Sequence, residues 1–217
     1  VAEAVQAALP QAVGVVVFKR DSSSRTTEPE RVAKVGAAEL TYHTRHSSFR
    51  VSAGAFFQGN RYLTDELVDM VAQNQSGNVA VDSYAGVGLF SNALSQRFAQ
   101  VIAVESSPTS YADLLYNSQP NVRAVHATTD QFLKNRDRKL RPDLVVVDPP
   151  RSGLGEVVVR SLGVLGARQV TYVSCDPATL SRDLAGLLSA GYHIQQAHVV
   201  DLFPQTYHVE SVFQLTL

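Results

Sequence analysis

The chain has one cysteine, Cys175, which lies in the segment VSCDP (residues 173–177), after an apolar run and before a helix start. A lone thiol cannot form an internal disulfide, a multi-cysteine zinc site or an iron–sulfur cluster, which leaves packing or nucleophilic chemistry. Asp176 is a good N-cap and Pro177 a good first helical residue. Cys175 is therefore expected at a strand terminus ahead of a helix. There the positive end of the helix dipole favours a thiolate, although the Asp176 charge offsets part of the effect. A packing cysteine would more often sit inside the strand. Three carboxylates hold comparable places. Asp148 follows LVVV (residues 144–147) and precedes two prolines that stop the strand, so it is either a loop cap or a site residue. Glu105 ends VIAVE (residues 101–105), where an acid can accept hydrogen bonds from both ribose hydroxyls of a nucleoside. Glu210 alternates with Val209, Ser211 and Phe213. It is either an exposed strand acid or, if its strand end adjoins that of Cys175, a catalytic base.

The segment VAVDSYAGVGLF (residues 79–90) reads as a buried strand, an acid, and a loop holding Gly86 and Gly88 that enters a helix. Glycines there accept positive φ and let the backbone approach a ligand, although a tight strand-to-helix turn alone would also use them. The loop is AGVG rather than GxGxxG, and no P-loop lysine is found. Adenosine without a pyrophosphate fits better, which points to S-adenosylmethionine.

These residues need a scaffold that brings strand ends together. From residue 61 onward, short apolar runs (79–81, 101–104, 122–125, 144–147, 170–173) alternate with helical segments, among them 61–73, 89–97 and 108–117. Such alternation predicts an α/β fold with a mostly parallel sheet covered on both faces, whose ligands bind at the carboxyl ends of the strands. Residues 197–202 and 209–217 are strand-like and closely linked, which predicts an antiparallel closing pair. Residues 1–60 read as a small β-rich lead-in with strands at 13–19, 39–44 and 49–52, a polar turn segment at 20–31, and one biased run, DSSSRTT (residues 21–27). The expected division is a lead-in over 1–60 and a catalytic domain over 61–217.

At 217 residues, 45% hydrophobic and 18% charged, the composition is that of a globular protein. No run approaches the roughly 20 apolar residues needed to cross a bilayer, and no secretory signal opens the chain. A cytoplasmic protein with no membrane partner is expected. The formal net charge of −1 is unusual for a self-sufficient nucleic-acid binder. The chain begins with valine, as a piece of a longer protein would.

Four segments together resemble the RNA (uracil-5-)-methyltransferase family, which acts on 23S ribosomal or transfer RNA. FRVSAGAFFQGN (residues 49–60) is similar to its F-x-V-S-x-x-x-F-F-Q-x-N segment, and DPPRSG (148–153) matches its D-P-P-R-x-G motif. YVSCDPATLSRD (172–183) resembles its nucleophile motif, with Asp176 where asparagine is common, and FPQTYHVE (203–210) resembles the segment holding its base. The order is the family's, and the resemblance spans about residues 10 to 217. It implies a Rossmann-like class I methyltransferase fold with an antiparallel last strand. It further implies S-adenosylmethionine contacts from Gln58, Tyr84, Glu105 and Asp148, packing of Phe56 against the target base, Cys175 as nucleophile and Glu210 as base. Family members often carry an N-terminal oligonucleotide-binding barrel, and some an iron–sulfur cluster. This sequence shows neither, so no metal is expected and RNA binding is expected to need an additional domain or a local basic patch. The stretch between Glu105 and Val122 reads as compressed, which predicts an adenine pocket that differs in detail.

Three other readings stay open on sequence. A cytosine-5 methyltransferase shares the chemistry, but its RNA-acting members usually use a second cysteine. A small-molecule methyltransferase explains the loop and the charge but not Cys175 with Glu210. A non-catalytic S-adenosylmethionine- or RNA-binding module would not need that pair.

Overall fold

The computed structural model describes residues 1–20, 29–206 and 208–217. The DSSSRTT run lies outside them, as does most of the polar segment around it. The chain opens with α1 (Ala2–Ala8), then β1 (Gly14–Lys19), β2 (Glu30–Gly36), β3 (Glu39–His43) and β4 (Ser48–Ser52). β1 pairs with β2, and β3 with β4, as two separate antiparallel ladders. The lead-in thus contains one helix and one strand, α1 and β2, beyond the three strands expected. Every residue of β2 except Val35 is exposed, so its sequence carries no burial alternation to read.

The remainder alternates as α2 (Thr64–Ala72), β5 (Gly77–Ser83), α3 (Leu89–Ser95), β6 (Phe98–Glu105), α4 (Pro108–Asn117), β7 (Val122–His126), α5 (Thr129–Asn135), β8 (Leu144–Val147), α6 (Gly155–Leu165), β9 (Gln169–Ser174), α7 (Pro177–Ser189), β10 (His193–Val200) and β11 (Glu210–Thr216). One seven-stranded sheet results, ordered β10-β11-β9-β8-β5-β6-β7. Only β11 runs against its neighbours, as expected of the last strand.

The period-two geometry of a strand explains the core. On one face Val81, Val145, Val147 and Tyr172 meet Leu133 of α5, Leu162 of α6 and Leu187 of α7. On the other face Ala80, Leu144, Val146 and Val173 meet Leu67 and Val71 of α2 and Leu94 of α3. β8 is buried at every position, because helices cover both of its faces. Chain order in the sheet reverses between β5 and β8, and a crevice opens there at the carboxyl ends. Because β11 is antiparallel, its first residue, Glu210, lies at that same edge.

Candidate active site

The β9–β11 ladder ends at the rung Ser174↔Ser211. One step nearer the carboxyl edge, on the two adjacent strands, stand Cys175 and Glu210. Glu210 is only 2% exposed, and its Oε1 has no hydrogen-bond partner among the described residues. The exposed-acid reading of Glu210 therefore fails. Asp148, the residue after β8, comes from the next strand over, and its charge acts on Cys175 together with that of Glu210. Three of the four groups the sequence singled out for chemistry, Cys175, Glu210 and Asp148, thus lie close enough to act on one another.

Their electrostatics follow from crowding. Burial raises the Glu210 carboxyl to about 7. Burial also pushes Asp148 well above the ordinary carboxylate range, with repulsion from Glu210 and Asp82 adding to it. The Cys175 thiol is likewise raised, first by burial and then by Glu210 and Asp148, with Arg151 opposing. This corrects the expectation of a thiol favoured as thiolate by the helix dipole. The α7 terminus is instead occupied by Asp176, whose Oδ1 accepts from Thr179 N at 2.9 Å and whose carboxyl is lowered by that bond.

Beside this group the glycine loop forms a cleft whose lining includes Phe56, Gln58, Tyr84, Gly86 and Asp148. Tyr84, Gly86 and Gly88 all take positive φ, at 68°, 56° and 99°. Tyr84 is not glycine, so the turn holds a side chain in a sparsely populated conformation at the cleft wall. Gly88 does not line the cleft; it is the N-cap residue of α3. Glu105 lies behind the loop and fastens it. Its Oε2 accepts from Gly86 N at 2.8 Å, and its Oε1 from Ser106 N and Ser107 N at 2.7 and 2.6 Å. A carboxylate oxygen has two lone pairs, so Oε2 can accept a further bond. Phe56 stands at the rim, 67% exposed. Asp82, noted on sequence only as an acid before the loop, is fully buried, accepts from Ser91 Oγ and is raised to about 7 by burial.

Three polar clusters that sequence reasoning missed hold these segments in place. Asp113 of α4, fully buried, accepts from Arg50 Nε (2.6 Å), Ser52 N (2.6 Å) and Ser52 Oγ (2.8 Å). Asn117 bonds the Arg50 backbone at both N–H and carbonyl. Together they anchor β4, from which the chain runs to Phe56 and Gln58. Asn60 closes that segment, with Nδ2 donating to Leu202 O and Oδ1 accepting from Tyr62 N. Asp183 of α7 accepts from Leu154 N (2.6 Å) and Tyr172 Oη (2.8 Å), while Arg182 donates to Ser152 O and Thr179 to Arg151 O. The helix after Cys175 thereby fixes the loop after Asp148. The polar residues flanking the cysteine were the sequence signal for this.

The sequence matches the tRNA (Uracil-5-)-methyltransferase family over residues 7–216. It is 42% identical over 174 residues to an uncharacterized RNA methyltransferase of Thermotoga maritima, covering 77% of this chain and 39% of that one. A Streptomyces coelicolor relative of the same description is 36% identical over 203 residues, covering 85% and 44%. The chain therefore spans less than half the length of these relatives. Its fold superposes on the tRNA (uracil-54, C5)-methyltransferase of Pyrococcus abyssi, crystallised with S-adenosyl-L-homocysteine, with a TM-score of 0.76 and 27% identity over 94% of this chain and 51% of that one. The sheet is thus the Rossmann-like sheet of S-adenosylmethionine-dependent methyltransferases. The chain belongs to the tRNA (uracil-5-)-methyltransferase family.

Proposed function

We propose that this chain is the catalytic unit of an S-adenosylmethionine-dependent RNA methyltransferase that modifies C5 of a uridine through a covalent Cys175–C6 adduct. The observation that carries this reading is the placement of Cys175 and Glu210 on neighbouring strand ends, one step past the rung Ser174↔Ser211 and beside the Asp148 cleft.

The residues fit the cofactor. Gly86 presents backbone rather than a side chain to the cleft, where an added Cβ would meet only Phe56 O, at 3.7 Å. Glu105 retains acceptor capacity for ribose, and Gln58 and Asp148 line the cavity as polar groups. When bound, S-adenosylmethionine supplies the electrophilic methyl group that C5 takes up, leaving S-adenosylhomocysteine.

Uracil C5 is too weak a nucleophile for this unaided. Addition of the Cys175 thiolate to C6 moves the electrons of the 5,6 double bond onto C5 and O4 as an enolate. Once C5 is alkylated, Glu210 takes the proton remaining on C5. The electrons of that C–H bond re-form the 5,6 double bond and expel the Cys175 thiolate. A carboxylate raised to about 7 suits this role, because a base is most effective when its pKa lies near the working pH. Phe56, exposed at the rim, offers a ring against which an unstacked base packs. The division into a lead-in over 1–60 and a catalytic domain over 61–217 belongs to the same proposal, as do RNA as partner and cytoplasmic residence. Among the described residues no helix is long and apolar enough to cross a membrane.

The deciding experiment offers RNA containing 5-fluorouridine together with S-adenosylmethionine and looks for a covalent complex on a denaturing gel. Fluorine replaces the proton that Glu210 removes, so the alkylated adduct should remain on Cys175. A complex that disappears in Cys175→Ala supports the mechanism. Its absence, with cofactor binding intact, argues against it.

A further inference from the structure

The chain carries a formal net charge of −1, yet its cations are unevenly placed. Residues 123–141 hold Arg123, Lys134, Arg136, Arg138, Lys139 and Arg141 against only Asp130 and Asp137, a local charge of +4. Both acids are engaged: Asp130 pairs with Lys134 at 2.7 Å, and Asp137 accepts from Lys139 N. Arg123, Arg136, Arg138, Lys139 and Arg141 form no ion pair among the described residues, and all but half-buried Arg136 are exposed. Two of these cations, Arg123 and Arg136, line an open cleft between α5 and β7, the edge strand of the large sheet, and the others lie close to them in sequence. β7 contributes Arg123, Val125 and His126 to the cleft, and Ala127 follows them. The lining of the cleft joins apolar Ile102 and Phe132 to the cations Arg123 and Arg136, His126 and one acid, Asp137.

The cleft adjoins the strand end that carries Glu105. His126 is paired in register with Glu105, and its Nε2 contacts Ser106 O at 3.0 Å. Cys175 lies four strand spacings away, roughly 19 Å. A nucleotide drawn out of its stack into the Cys175 site leaves flanking backbone to be held elsewhere. The cations of this face that form no ion pair suit phosphate, whose contacts supply most sequence-independent RNA affinity.

We propose that the β7–α5 cleft and the basic segment 134–141 bind the phosphodiester backbone of the substrate RNA. The proposal rests on the reading of the chain as an RNA methyltransferase. It supplies a local basic patch despite the acidic overall balance.

The test is the salt dependence of binding of a fluorescein-labelled, uridine-containing single-stranded RNA, measured by anisotropy on the chain as it stands. Arg123→Glu/Arg138→Glu removes two exposed cations of this face. Arg31→Glu/Lys34→Glu on β2 makes the same change in net charge elsewhere. The cleft variant should bind at least ~10-fold more weakly and lower the slope of log affinity against log salt by roughly 1.4, about 0.7 per lost single-strand phosphate contact. The control should keep the wild-type slope, and both should keep wild-type affinity for S-adenosylhomocysteine and wild-type melting. A wild-type slope in the cleft variant, an equal loss in the control, or no RNA binding by the parent chain overturns the proposal. So does displacement of RNA by inorganic phosphate beyond that of chloride at equal ionic strength, which would mark a free-anion site. Adduct trapping with 5-fluorouridine RNA is scored separately. If no variant forms the adduct while the slopes differ as stated, the backbone site stands and the uridine-5 mechanism falls.

Discussion

Cys175 and Glu210 stand on adjacent strands at the open end of the β9–β11 ladder, each one residue beyond the rung Ser174↔Ser211. The relationship depends on the insertion of β11 antiparallel between β9 and β10, which brings the first residue of one strand beside the residue that follows another. Within this arrangement burial, Glu210 and Asp148 all raise the thiol, and Arg151 opposes them. Nucleophile formation should therefore limit the first step near neutral pH.

Arg151→Ala should slow adduct formation at pH 7, because the thiol then rises further and less thiolate is present. The deficit should shrink as pH is raised and both enzymes approach full ionisation. Quench-gel time courses at a series of pH values check this. An equal deficit at every pH would assign Arg151 to RNA contact rather than to the thiol.

Glu210→Gln should stop the reaction after alkylation and leave a covalent complex with ordinary uridine RNA, with turnover lowered at least ~100-fold, the lower end for loss of a general base. It should also change stability with a defined sign. The folded carboxyl titrates near 7, above its unfolded value, so the native state holds the proton more tightly. That contribution is fully present below the unfolded pKa and is lost as pH rises through about 7. Glu210→Gln should thus melt like the parent near pH 4 and above it near pH 8, by at most roughly 3 kcal/mol. Melting curves at the two pH values decide the sign.

Glu105→Ala should weaken S-adenosylhomocysteine binding by ~10-fold or more, since a hydrogen bond to a charged acceptor is worth about 1.5–3 kcal/mol. Part of the loss reflects the loop, because Gly86 N, Ser106 N and Ser107 N lose their acceptor together. Glu105→Gln keeps one acceptor oxygen and should recover part of the affinity. Calorimetric titration of the three proteins separates the outcomes, and equal affinity in all three would remove Glu105 from the site.

The parallel strands were legible because burial on both faces makes their sequences nearly continuous apolar runs, as in LVVV of β8. Cys175, Asp148 and Glu210 were each legible as acids or a thiol at strand ends. Their meeting was not, since it depends on strand order rather than on local pattern. The resemblance to a family supplied that link. α1 and β2 were missed because they expose most of their residues and leave no burial periodicity. Asp113 and Asp183 were missed for a different reason. Asp113 bonds Arg50 and Ser52, 63 and 61 residues away, and Asp183 reaches Leu154, 29 residues away, separations that no local window reads.

Asp113 yields the last prediction. It is fully buried and joins α4 to β4 through Arg50 Nε and two groups of Ser52. Removing Asp113 leaves Arg50 Nε and the Ser52 N–H without their acceptor. Arg50 is 30% exposed and keeps its bond to Ala112 O, which puts the cost at the lower end of the roughly 3–5 kcal/mol for breaking a buried pair. Asp113→Ala should lower the melting temperature by roughly 6–12 °C, taking about 3 kcal/mol at 2–4 °C per kcal/mol for a chain of this size. Because β4 leads directly into the segment bearing Phe56 and Gln58, cofactor affinity should fall even well below the melting transition. Asp113→Asn, which still accepts from Ser52 but lacks the charge for Arg50, should lie between. A cofactor affinity that stays at the parent value in Asp113→Ala, measured at a temperature where both proteins are folded, would show that the Asp113 anchor serves the fold alone and that Gln58 is positioned through Asn60 and Leu202 instead.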